Sequence, residues 1–196
     1  MATKRVSIIL LVILVAYLPS PVVADGDTQV VSQFGVSFEE GVIADSSDAL
    51  SDPRDLEFHP GRANELWIAN RATDSMTIVH NTGLVNQTSE NRHDAYGNHF
   101  LEEVSAISFG TYHPEFDWQW GSAQESANTY CGQGNPNNFM GPTLWPSSLS
   151  HYAVEHQSDQ YLGSHIDMNH ESPYGMGIAH DSGNSYWYND GHNGEL

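Results

Sequence analysis

The chain has 196 residues and a formal charge of −19, from 25 acidic residues against six Lys and Arg. A surface so acidic repels phosphate backbones and anionic lipid, so nucleic-acid binding and adhesion to anionic membranes are the functions least expected of it. The surplus acid reads as a solvated surface that favours solubility, including in salty surroundings.

In chain order, the first feature is an export signal over residues 1–24. Lys4 and Arg5 precede an apolar run from Val6 to Tyr17, and Val22-Val23-Ala24 offers small residues for cleavage. A bilayer span needs about 20 apolar residues, and Pro19 and Pro21 end this run early. The expected compartment is therefore secreted or extracytoplasmic, with no membrane contact after cleavage. Cleavage removes two of the six basic residues and none of the acids, which leaves four Arg, no Lys and a charge of −21. Residues 25–50 form a lead-in segment. Cys131 is the only cysteine, and two readings stand for it: a half-disulfide whose partner lies elsewhere, or a small buried loop residue. The sequon Asn86-Gln87-Thr88 lies in a polar stretch and matters only in a host that glycosylates.

From Pro53 to Val79 the spacing predicts three strands. Leu56 and Phe58 alternate with Glu57, His59 to Asn64 supplies turn residues, and Leu66-Trp67-Ile68-Ala69 is a continuous apolar run. Such a short run bounded by turns predicts a strand buried on both faces. Met76 to Val79 makes the third strand. A weaker copy of this order starts at Val104 to Gly110 and continues at Phe116 to Trp120. A strong copy returns at Gly177 to His180, with a turn at Asp181-Ser182-Gly183-Asn184 and a strand at Tyr186-Trp187-Tyr188. The His-to-Trp interval is eight residues in the first strong copy and seven in the last, and Leu56 and Ile178 stand 122 residues apart. That is close to three repeats of about 40 to 45 residues, the size of one propeller blade. No stretch after residue 24 sustains a period near 3.6, so few helices are expected.

The stretches Pro53 to Pro60 with Glu65 to Asn70, and Gly177 to Asp181 with Gly183, Asn184 and Trp187, resemble the NHL repeat of six-bladed β-propellers. The resemblance covers about 50 residues well. It implies an all-β fold, a partial β-propeller over residues 51–196, with a long irregular insertion at about 112–165. A closed propeller needs at least four blades. The chain stops at Gly194-Glu195-Leu196, where a further strand is due, so truncation is expected. The competing expectation is that several chains assemble to bury their blade faces. Trp67 and Trp187 occupy equivalent repeat positions and are expected to pack between blades.

Two functional readings follow. The first is an extracellular binding or interaction module for a protein, peptide or carbohydrate. The second follows the resemblance, because the family includes metal-dependent lyases and lactone hydrolases alongside pure binding modules. For that reading His165, Asp167 and His170 are the metal candidates, with zinc or calcium as the ion; His165 and Asp167 share a face if residues 165–168 form one strand. His80, His99, His113 and His180 are further imidazoles that such a site would have to gather. Turn and surface histidines are the plainer reading of the same residues. Asn189 to Gly194 carries oxygen donors but lacks the spacing of a calcium loop. Trp118, Trp120 and Trp145 are candidate ligand platforms, with packing as the alternative. The chain has no Gly-x-Ser-x-Gly elbow, no phosphate-binding Gly-rich loop and no Cys-x-x-Cys pair.

Overall fold

The computed structural model describes residues 29–33, 36–94, 101–125, 141–154, 165–170 and 174–191, with side chains from residue 41 onward. The export signal, His99, Cys131, Pro173 and the last five residues lie outside the described residues.

The described residues form antiparallel β-sheets joined by turns and short 3-10 segments, with no α-helix among them. A hairpin of β1 (Gln29–Gln33) and β2 (Val36–Glu40) comes first. Sheet I is a four-stranded meander of β3 (Pro53–Phe58), β4 (Leu66–Asn70), β5 (Ser75–His80) and β6 (Thr88–His93). Sheet II repeats this plan with β7 (Val104–His113), β8 (Asp117–Gln124), β9 (Thr143–Pro146) and β10 (Asp167–Met168). A second hairpin, β11 (Ile178–Ser182) with β12 (Ser185–Tyr188), turns through Gly183 at φ 56°, where the left-handed conformation favours glycine. The stretch 112–165, expected as an irregular insertion, in fact supplies β8 and β9. β8 pairs with β7, and β9 pairs in turn with β8.

β4 is buried throughout, as its unbroken apolar run requires. One face sends Trp67 and Ala69 into the main core, where Ile78, Val104, Ile107, Phe109, Trp120 and Trp145 join them between sheets I and II. The other face sends Leu66 and Ile68, with Val79 of β5, under Ala44 and Leu50 of the lead-in segment. The same segment is tied to sheet I by polar contacts. Thr77 Oγ1 donates to the Ala49 carbonyl at 3.2 Å and Ser89 Oγ to Asp48 at 2.7 Å. β6 is polar because it is an outer strand, which is why its sequence carries no apolar signal.

The first strands of the three units lie side by side. One edge of β7 pairs with β8, and the amides on its other edge would be unpaired. β3 caps them: Ile107 N–H donates to Asp55 at 2.9 Å and Phe109 N–H to Glu57 at 2.7 Å. β7 treats β11 alike, since His180 N–H donates to Ser108 Oγ at 3.0 Å. The acidic side of β3 therefore faces inward. Leu56 and Phe58 lie on the opposite side, 59% and 55% exposed, contrary to what their apolar character suggests.

Trp67 is 0% exposed and Trp187 is 61% exposed, so in the described residues the two rings are not buried alike. Trp67 lies between two sheets. Trp187 pairs with Ala179 across the β11–β12 hairpin, and both side chains are exposed.

Candidate functional site

Between sheet II and the β11–β12 hairpin lies a cleft of about 310 Å³. Two glycines admit the hairpin. A Cβ on Gly110 would stand 2.0 Å from the Tyr186 hydroxyl, and one on Gly121 would stand 2.7 Å from Ile178 Cδ1. Tyr186 and Ile178 therefore rest directly on backbone, and Tyr186 and Tyr188 present ring surface to the cleft. The opposite wall is Leu144 of β9 with Asp167, Met168 and Asn169. Asn169 Nδ2 donates to the Tyr188 hydroxyl, linking the two walls. The lining thus combines tyrosine rings, an amide, a carboxylate and apolar side chains within the size range of small-ligand sites.

Behind the cleft the environment is drier. Burial, with the Glu57 carboxylate adding to it, pushes the Tyr186 phenol up to about 12. Its hydroxyl is buried with no hydrogen-bond partner among the described residues. Burial likewise raises the Glu57 carboxyl above its ordinary range, against the Phe109 amide that holds it down. Gly110→Val is expected to force Tyr186 off this seat and cost about 1–3 kcal/mol, the usual penalty for overpacking. Hydrogen exchange at the His180 amide, now bonded to Ser108, should become fast. Unchanged protection would show that the hairpin does not depend on this contact.

The expected metal site does not assemble. β10 begins only at Asp167, so His165 precedes the strand, and its ring lies 6.2 Å edge-on from the Trp145 ring. Asp167 is exposed at the cleft, paired across from Leu144, and His170 is exposed beyond β10. Among the described residues no three His, Cys, Asp or Glu are grouped to hold a metal ion. His80 hydrogen-bonds Glu65 and Glu90, His113 stacks on Phe116 at 4.9 Å, and His180 bonds the Gly183 carbonyl.

The tryptophan platform is also corrected. Trp120 and Trp145 are completely buried and stack on each other at 5.5 Å, so neither offers a face to a ligand. Trp118 is half-buried, its indole lying over Gly61 and edge-on to Tyr112. Tyr186 and Tyr188, which do line the cleft, carry no distinguishing signal in the sequence beyond their place beside Trp187.

One pairing resembles catalytic machinery and is not. His59 Nε2 lies 3.0 Å from Ser147 Oγ, both residues buried. Gly61 N–H donates to His59 Nδ1 at 3.1 Å, so the ring proton resides on Nε2 and points at the serine. A nucleophile needs the reverse arrangement, a base accepting its proton. Burial, with the Arg62 guanidinium adding, holds His59 down to about 4 and keeps it neutral. The arginines are committed too: Arg54 and Arg71 reach Glu125, Arg62 reaches Glu65 and Asp117, and Arg92 reaches Glu90. A ligand anion would have to break an existing ion pair to reach one of them.

The fold and the cleft define an all-β protein of face-to-face antiparallel meanders with a polar, aromatic-walled groove beside its last hairpin. Comparison with family models, with curated proteins and with solved structures found no match to this chain.

Proposed function

We propose that this chain is an exported, acidic binding module built from NHL-like β-propeller blades. Its ligand is a neutral or cationic polar molecule of the peptide or carbohydrate class, held in the cleft between sheet II and the β11–β12 hairpin. The observation that carries this reading is the cleft lining. Tyrosine rings suit the apolar faces of sugars or peptide side chains, while Asn169 and Asp167 supply a donor and an acceptor for orientation. The charge of −21 and the paired arginines disfavour anionic ligands. Two four-stranded meanders whose first strands lie side by side support the propeller reading, and the amino-terminal pattern supports export. No helix among the described residues is long and apolar enough to cross a membrane.

Calorimetric titration of the purified chain against panels of neutral oligosaccharides and of neutral or basic peptides tests the reading. Binding by one panel is expected, and Tyr188→Ala should weaken it about 10-fold or more, as loss of a ring anchor does, with the fold intact by circular dichroism. No binding by either panel, or equal affinity in the variant, would sink it.

A further inference from the structure

The side chains of the cleft beside the β11–β12 hairpin accept more hydrogen bonds than they can donate. Asp167 is the one charged residue in the lining, and it is exposed there. Its only hydrogen bond among the described residues comes from the neighbouring Met168 N–H, 2.9 Å from Oδ1. The four described arginines are paired with other carboxylates. Asn169 gives one amide hydrogen to the Tyr188 hydroxyl, and its Oδ1 accepts no bond among the described residues. Thr143 Oγ1 donates to the Gly141 carbonyl at 2.9 Å, so towards a ligand it can only accept.

Resting on the binding reading above, we infer that this cleft selects a cation: an ammonium or guanidinium group on an aliphatic stem, as basic peptides and free alkylamines carry. Such a group only donates, which matches the unmet acceptors, whereas a neutral hydroxyl must also find donors. The positive charge meets Asp167 and lies against the Tyr186 and Tyr188 rings, while Leu144 and Met168 offer apolar surface to the stem. An exposed ion pair alone contributes little, so the ring faces are needed beside the carboxylate. The charge of −21 gives the surroundings the same sign. Asp167 is thus the residue that selects for charge, and Tyr188 a residue that holds any ligand.

Calorimetric titration of the exported chain tests the inference, at about 0.15 M salt, where distant charges are screened over about 8 Å. Short Gly-Ser peptides with a central arginine or lysine are compared with their citrulline and acetyl-lysine counterparts. The charged member of each pair should bind about 10-fold tighter. Asp167→Asn keeps an acceptor for the Met168 N–H and should bring the two members to equal affinity, with circular dichroism unchanged. Glu115→Gln, at an exposed acid outside the cleft, should leave the preference intact. Butylamine and butylguanidine form a further arm: tighter binding by the peptides names a peptide as the source of the cation, and equal binding a free amine. Equal affinities within the pairs for the parent, or the same loss in both variants, would overturn the selection for charge. Binding of neutral sugars or peptides that needs Tyr188 and ignores Asp167 would overturn this inference alone, and absence of all binding would overturn the binding module with it.

Discussion

Trp67→Ala is expected to destabilise the chain by about 3–5 kcal/mol, the range for deleting a large buried aromatic, while Trp187→Ala is expected to stay within about 0.5 kcal/mol of the parent monomer. The ring of Trp67 is fully buried, edge-on to Phe109 at 5.4 Å and to Trp120 at 5.7 Å, so its removal opens a cavity bordered by both sheets. Its indole N–H also donates to Glu65 at 2.8 Å, and Glu65 is itself buried. The truncation therefore removes a partner from a buried carboxylate, which places the cost toward the upper end. Denaturant midpoints measured at low protein concentration separate the two variants. Equal midpoints for Trp67→Ala and the parent would mean that sheets I and II do not pack through this ring.

Stability is expected to fall as pH drops from about 6.5 to about 4, with His59 responsible for up to roughly 3 kcal/mol at about 1.4 kcal/mol per pH unit. The sign follows from the folded state holding His59 neutral down to about 4, whereas the unfolded chain takes up its proton near 6.5. The unfolded state binds more protons in that window, so stability is full above 6.5, declines through the window and gains no further loss from this group below 4. His165 shifts in the same direction, also through burial, and adds to the slope. Glu57, raised by burial, opposes it, because the folded state takes up that proton first. His59→Gln keeps a donor for Ser147 and removes the titration. Its stability profile should be flatter than the parent's between pH 6.5 and 4, and superimposable profiles would show that His59 titrates as an exposed imidazole.

The sequence by itself determined the local elements. Leu66 to Ala69 reads as a strand covered on both faces, because four successive apolar residues closely bounded by turn residues are too few for a helix. The turn at Asp181 to Asn184 likewise fixed a hairpin, since its glycine permits the left-handed backbone that the reversal needs. Tertiary structure alone decided which side of each strand faces inward. Leu56 and Phe58 lost the interior to Asp55 and Glu57 because the edge amides of β7 require acceptors, a demand that lies some fifty residues away in sequence. Trp67 and Trp187 share a local pattern and differ in burial because a second sheet covers only the first. His165 stays outside its strand because β10 starts two residues later than an unbroken alternation assumes. Trp120 and Trp145 stack because β8 and β9 pair them across 25 residues. The cleft likewise depends on glycines at 110 and 121 whose close approach to Tyr186 and Ile178 exists only once the hairpin has docked. Periodicity and turn chemistry act within a few residues, whereas burial is set by whichever surface arrives from elsewhere in the chain.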